Sequence, residues 1–249
     1  MPRFAVILPA AGKSSRFRDQ HYKKPFAPLD GRPVWMHVAD RFVNRSDVKQ
    51  TLLIIAPEDR EHFAEKFAGN AAMLGIEVVE GGAERSDSVA RALERVDPEA
   101  DYIAVHDAAR PCVAAEWIDA VFAAAVKSGA AILAAPVTAT LKRAHSDQTI
   151  AETVARDKLW EAQTPQVFRR QLLIDAYARR GQAGQSPATD DAQLVERLGH
   201  KVTLVPGSPI NIKITTKEDL RMASALLKVL PRPKLAGPAH PFADDELWR

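Results

Sequence analysis

Residues 4–24 read FAVILPAAGKSSRFRDQHYKK, and the character of the chain changes at Pro9. The apolar run Phe4 to Leu8 has the composition of a buried strand. Pro9, Ala10, Ala11 and Gly12 then open a stretch of small residues and cations: Lys13, Ser14, Ser15, Arg16, Arg18, Lys23 and Lys24. Small residues after a strand let the backbone approach a ligand closely. Inward N–H groups there cradle phosphate oxygens that nearby cations neutralise. The functional reading is a nucleoside-triphosphate loop, and the competing one is a solvated basic loop, which charge runs usually are. Gly12-Lys13-Ser14 imitates the end of a G-x-x-x-x-G-K-S/T loop, but Ile7 stands where that motif needs glycine. A G-x-G-x-x-G is absent as well, so a P-loop ATPase and a dinucleotide dehydrogenase are both disfavoured.

Outward from this segment, β-branched apolar runs alternate with helical patterns. Strands are expected at 4–8, 51–56, 76–79, 102–105, 131–135, 201–205 and 210–214. Helices are expected at 34–44, 58–68, 86–96, 115–128, 169–180, 189–198 and 216–229. This alternation implies an α/β fold, doubly wound around a mostly parallel sheet. Ligands bind beyond the carboxyl ends of such strands, which places the loops at 9–24, 81–88 and 106–111 on one rim. Two regions break the alternation. Pro136 to Phe168 reads as extended polar segments with turns, and TATLKR and TIAETVAR flanking a polar turn suggest a protruding hairpin arm over about 137–160. Residues 231–249 hold Pro231, Pro233, Pro238 and Pro241 and read as an irregular extension to a domain covering 1–230.

The 249 residues suffice for one large domain with a sizeable core. Cations exceed acids by only two, so nonspecific nucleic-acid binding has no support and any basic site must come from local clustering. The single cysteine, Cys112, excludes an intrachain disulfide and a cysteine-rich zinc site. No run approaches the roughly 20 apolar residues that span a bilayer, and no signal segment is evident. A cytoplasmic protein without a membrane partner is the expectation.

Three further pieces carry candidate chemistry. Gly81-Gly82-Ala83-Glu84-Arg85-Ser86-Asp87-Ser88 puts paired glycines before a helix; its hydroxyls can bond ligand or backbone, and an ordinary glycine turn with an N-cap is the competing reading. His106-Asp107-Ala108-Ala109-Arg110-Pro111 follows a strand, so Asp107 projects from a carboxyl end. A carboxylate there can hold nucleotide-bound Mg²⁺ directly or through water. Arg110 reads as a support for the loop or for Asp107, and His106 as a loop-ordering residue more than a catalyst. Asn211-Ile212-Lys213-Ile214-Thr215, taken as a strand, would put Asn211, Lys213 and Thr215 on one face. Lysine inside an apolar strand argues for a site, or else for an edge-strand gatekeeper.

LPAAGKSSRF, Lys24, GGxxRxxSV, HDAARP, TLKR, TVxRxxLWxAQTPQ and NIKIT occur in this order over roughly residues 4–229. Together they resemble the 2-C-methyl-D-erythritol 4-phosphate cytidylyltransferases, a family of Rossmann-like nucleotidyltransferases. The resemblance implies cytidylyl transfer from CTP to a sugar-alcohol phosphate, with Mg²⁺ or another divalent cation as cofactor. It implies that Arg16 and Lys24 stabilise charge around the α-phosphate. Ala10, Ala11, Gly12, Gly82, Arg85 and Ser88 would bind the nucleotide, and Asp107 would serve the metal or ribose-phosphate region. Thr140, Arg156 and Lys213 would hold the acceptor phosphate, with Arg156 and Lys213 also counted as catalytic. The arm would reach across a homodimer, so Thr140 and Arg156 would act in the neighbouring subunit. The sequence departs from the family pattern at Pro25, where many relatives have glutamine, and at Ala83, where an acidic residue is frequent. A sister enzyme using ribitol 5-phosphate, a nucleotide-binding protein without catalysis, and a pyrophosphorylase using UTP or GTP are the competing readings.

Overall fold

The computed structural model describes residues 1–12, 14, 17, 22–181 and 186–231. Arg16 and the proline-rich segment from 232 onward lie outside the described residues.

The apolar run at the N-terminus forms β1 (Phe4–Pro9), buried along almost its whole length. It lies between β4 (Val48–Ile55) and β6 (Tyr102–Val105), parallel to both. β5 (Ile76–Glu80) extends the sheet beyond β4. On the other side come β10 (Trp160–Arg169), β7 (Ala130–Pro136) and β11 (Thr203–Pro206), giving the order β11-β7-β10-β6-β1-β4-β5. Only β10 runs antiparallel to its neighbours. A short antiparallel pair, β2 (Pro28–Leu29) and β3 (Arg32–Pro33), lies outside the main sheet.

Alternate residues of β1 feed opposite cores, which is why the strand is apolar throughout rather than alternating. Val6 and Leu8 pack with α1 (Val34–Ala39), α2 (Arg60–Lys66) and α5 (Ala115–Ser128) through Trp35, Phe63, Ile118 and Phe122. Ala5 and Ile7 face α4 (Arg85–Leu93), α6 (Arg170–Ala178) and α7 (Asp191–Arg197) through Val89, Leu173, Tyr177 and Val195. A smaller core under α8 (Lys217–Lys228) joins Phe17, Leu29, Cys112, Ile214 and Ala223. Helices on both faces of a mostly parallel sheet give the expected doubly wound α/β fold.

Three sequence expectations need correction. The helix expected at 58–68 is a 3-10 turn, Pro57–Asp59, then α2, a break at Phe67, and α3 (Ala68–Met73). The strand expected at 210–214 does not form. β10 already fills the place between β6 and β7, so this segment does not enter the middle of the sheet. It crosses above the sheet instead, tied by Ile214 N–H to the Ala109 carbonyl at 2.8 Å, while Ile214 fills the α8 core. The third correction is β10 itself, whose Gln163-Thr164-Pro165-Gln166 does not read as a central strand. Its register with β7 breaks between Ala162 and Gln166, and that irregularity accommodates the proline. The arm is a hairpin as expected, β8 (Leu141–Ala144) paired with β9 (Ile150–Val154).

Candidate active site

One cleft of about 310 Å³ opens at the carboxyl ends of β1, β5 and β6. Pro9, Ala10, Ala11 and Gly12 form one wall, and Gly82, Ala83, Glu84, Arg85 and Ser88 the opposite one. Asp107 lies at its base, with Lys24, Pro25, Ala109 and Lys213 completing the lining. Among the described residues, the expected nucleotide-loop positions therefore meet in one place.

The first wall continues β1: the Ala10 N–H donates to the Ile54 carbonyl at 2.7 Å. Ser14 Oγ accepts the Lys24 N–H at 3.1 Å, closing the loop on itself and bringing Lys24 to the cleft. The neighbouring Lys23 is turned away, its ammonium 2.8 Å from Asp59 and 2.9 Å from Glu58. Burial opposes that charge but the two carboxylates outweigh it, so the Lys23 pKa is raised. The structure thus separates two adjacent lysines into an anchor and a cleft residue.

The second wall needs glycine for steric reasons. A Cβ on Gly81 would lie 2.8 Å from Ala11 Cβ and Ser88 Oγ, and one on Gly82 only 2.5 Å from Asp87 Cβ. Buried Ser88 spends its hydroxyl on the backbone: it donates to the Glu84 carbonyl at 2.9 Å and accepts the Gly82 N–H at 3.0 Å. Glu84 and Asp87 form a capping box that starts α4. Arg85, at the first position of that helix, reaches across to α7, where its Nη1 and Nη2 donate to the two oxygens of Asp191 at 3.0 and 2.7 Å. Asp191 is fully buried and also accepts from the Tyr177 hydroxyl. Burial opposes the Arg85 charge, but Asp191 and then Asp107 more than compensate, so its pKa is raised.

Asp107 is the electrostatic centre. Lys213 Nζ lies 2.7 Å from one of its oxygens, and Arg85 Nε and Arg110 Nε each lie at 3.7 Å. Burial would raise this carboxyl, yet Lys213, Arg85 and Arg110 together hold it well below the usual carboxylate range. Arg110 also donates to the Asn211 carbonyl at 2.7 Å, so it supports both the loop and the Lys213 segment. His106 is fully buried, and burial lowers its pKa to about 4. It is neutral at pH 7, with Nε2 facing the Arg110 carbonyl at 3.0 Å and Nδ1 facing Thr164 Oγ1 at 3.1 Å. The carbonyl only accepts, so Nε2 carries the proton and the Thr164 hydroxyl donates to Nδ1. His106 orders its loop, as the sequence suggested.

Thr140 and Arg156 sit on the exposed arm and do not line this cleft. Arg156 donates to the Thr138 carbonyl within the arm's own base. No group of three or more His, Cys, Asp or Glu that could hold a metal ion occurs among the described residues.

A family model described as 2-C-methyl-D-erythritol 4-phosphate cytidylyltransferase matches residues 4–229. The chain belongs to that family. Among curated relatives, the 2-C-methyl-D-erythritol 4-phosphate cytidylyltransferase of Rhodopirellula baltica is 49% identical over 235 residues, covering 90% of this chain and 94% of the relative. That of Bacillus velezensis is 42% identical over 226 residues, covering 90% and 96%. The crystal structure of the Thermus thermophilus cytidylyltransferase superposes with a TM-score of 0.74 at 36% identity, covering 92% of this chain and all of that one.

Within this cytidylyltransferase fold, several site-supporting residues escaped the sequence reading. Asp191 follows Asp190, which caps α7 by accepting the Gln193 N–H at 2.9 Å. Gln166 Oε1 accepts the Asp191 and Ala192 N–H groups at 3.1 and 3.0 Å, while its Nε2 donates to Asp190 at 2.9 Å. The available signal was an acid at a position of α7 that packs into the core, where a carboxylate needs a cationic partner.

Proposed function

We propose that this protein transfers the cytidylyl group of CTP to 2-C-methyl-D-erythritol 4-phosphate, forming 4-diphosphocytidyl-2-C-methyl-D-erythritol and pyrophosphate in the non-mevalonate route to isoprenoids. The observation that carries this reading is the convergence of the Ala10–Gly12 turn, the Gly82–Ser88 wall, Lys24 and Lys213 around buried Asp107, in a chain of this family. The relatives' names favour methylerythritol phosphate over ribitol 5-phosphate as acceptor.

An oxygen of the acceptor phosphate, ionised near neutral pH, attacks the α-phosphorus. The new O–P bond forms as the bond to the β-phosphate bridging oxygen breaks, and pyrophosphate leaves with that electron pair. No proton has to be removed from the nucleophile, so the site needs positioning and charge stabilisation rather than a general base. Buried, neutral His106 suits that requirement. Lys24 neutralises triphosphate charge beside the glycine wall, and Arg16 adds to it. Gly82, Arg85 and Ser88 shape the cytosine side. Lys213, held by Asp107 before substrate arrives, presents its ammonium to the acceptor phosphate.

Mg²⁺ brought in with CTP would lower the charge on the triphosphate. A resident metal does not fit the described side chains, because Asp107 is one carboxylate already matched by three cations. Toward a nucleotide-borne cation Asp107 would act only through water. Thr140 and Arg156 act in trans across a homodimer. This is supported by their absence from the lining of their own cleft and by the apolar Ile150, Leu159 and Trp160 left exposed on or beside the arm. No helix among the described residues is long and apolar enough to cross a membrane. The cytoplasm, where CTP is made, is the proposed location.

Phosphorus NMR of the protein with MgCTP and methylerythritol phosphate tests the reaction. Equal amounts of a diphosphate diester and free pyrophosphate support it, with CTP preferred over UTP, GTP and ATP. Pyrophosphate without the diester, or a preference for another nucleotide, refutes it.

A further inference from the structure

The Lys213 segment has no strand pairing to hold it, yet Lys213 must meet Asp107 within hydrogen-bond range. Side-chain amides supply what a ladder does not. Asn211 is completely buried, and its Nδ2 donates to the Thr164 carbonyl at 3.0 Å and to Gln163 Oε1 at 3.2 Å. Gln163, 4% exposed, donates from Nε2 to the Ser208 carbonyl at 2.9 Å. Gly207 is packed so closely there that a Cβ would lie 2.6 Å from Gln163 Oε1. These bonds join the crossing segment at Ser208 and at Asn211 to the irregular part of β10.

The same part of β10 also holds Asp107. Thr164 Oγ1 accepts the Asp107 N–H at 3.1 Å, so one residue grips the carboxylate's backbone with its hydroxyl and the lysine's segment with its carbonyl. Arg110 closes the circuit from the other side through the Asn211 carbonyl. The Asn211 amide is oriented unambiguously, because both atoms facing Nδ2 are acceptors. Its Oδ1 is buried with no partner among the described groups, a desolvation cost the site bears to keep the two donors in place.

We infer that Asn211, with Gln163 behind it, is a positioning residue that sets the Lys213 ammonium against Asp107 for capture of the acceptor phosphate. It does not line the cleft. It acts by fixing the chain two residues before Lys213, and a displacement of about 1 Å at such a group costs on the order of a hundredfold in rate. The effect belongs to the acceptor side, because the side-chain and carbonyl bonds of Asn211 and Gln163 go to Thr164, Gln166, Ser208, Arg110 and each other, and to no residue of the nucleotide walls at Ala10–Gly12 and Gly82–Ser88.

This inference rests on the proposed reaction, so wild-type turnover with MgCTP and methylerythritol phosphate is measured alongside the variants. Asn211→Asp keeps the shape but replaces the donor with an acceptor facing two acceptors. Gln163→Met keeps length and burial while removing Asn211's side-chain partner. In folded protein each should lower kcat/KM for the acceptor, Asn211→Asp at least about tenfold and Gln163→Met severalfold, while KM for CTP changes less than about twofold. If Asn211→Asp does not fold, Gln163→Met decides alone. Unchanged acceptor kinetics, or equal losses toward CTP and acceptor, overturn the positioning role. An inactive but folded wild type overturns the reaction itself, and the inference falls with it.

Discussion

Replacing Asp191 with asparagine removes one carboxylate charge from the interior without changing its shape. In the native protein that carboxylate is fully buried, accepts two charged bonds from Arg85 at 2.7 and 3.0 Å, and accepts a third from Tyr177. Breaking a buried pair by removing one partner costs about 3–5 kcal/mol, because the remaining charge is left uncompensated. Arg85 keeps Asp107 at 3.7 Å and its side chain is 32% exposed, so the lower end applies, about 3 kcal/mol. For a protein of this size, that corresponds to a melting temperature lowered by roughly 6–12 °C. Because Arg85 also forms part of the nucleotide wall, affinity for CTP should fall severalfold in the folded variant. Calorimetric melting with and without CTP reads both effects. Asp190→Asn is the comparison: asparagine still caps α7, but its amide cannot accept from both Gln193 N–H and Gln166 Nε2, so the loss should be about 1–2 kcal/mol and smaller than at Asp191. A melting temperature within about 2 °C of wild type for Asp191→Asn, with normal CTP affinity, would refute the idea that this pair holds the wall.

Lys24→Met and Lys23→Met should separate cleanly in a turnover and unfolding series. The first should lose well over tenfold in kcat/KM with little change in stability; the second should lose about 1–2 kcal/mol of stability with its partly buried Asp59 contact and retain more activity. His106 titrates near pH 4 when folded and near 6.5 when unfolded, so the unfolded chain binds the extra proton between those values. Stability should therefore fall by about 3 kcal/mol as the pH drops from 6.5 to 4, and His106→Asn should flatten that window in urea titrations. Lys213→Ala should cost more than tenfold in kcat/KM, and near-normal turnover in a folded variant would remove its assigned role. Mixing Arg156→Ala subunits with Lys24→Ala subunits should restore activity if the arm serves the partner's cleft, whereas no rescue despite subunit exchange would count against that arrangement.

Much of the architecture was readable because the physics that fixes it is local. Phe4 to Leu8 is apolar on both faces, as a strand between two helical layers must be, and α5 falls where its periodicity puts it. Lys24 was named through the family resemblance, and the structure places it at the cleft while its neighbour Lys23 pairs with Glu58 and Asp59. What could not be read depends on contacts distant in sequence. β10 is polar and carries Pro165 because its side chains serve three other segments: Thr164 the Asp107 loop, Gln166 the start of α7, and Gln163 the crossing segment. β10 occupies the middle of the sheet, and the alternating NIKIT segment pairs with no strand; its isoleucines go to the α8 core instead. Asp191 was hidden because an acid in a helix's first turn needs no special explanation until Arg85 is seen beside it, 106 positions earlier in the chain.

The most direct test of the account is the acceptor preference at saturating MgCTP, read as pyrophosphate release with methylerythritol phosphate and with ribitol 5-phosphate in parallel. Turnover with methylerythritol phosphate, and kcat/KM for ribitol 5-phosphate lower by at least about a hundredfold, is the predicted result. Equal or faster release with ribitol 5-phosphate, or none with either in protein that binds CTP, would contradict it.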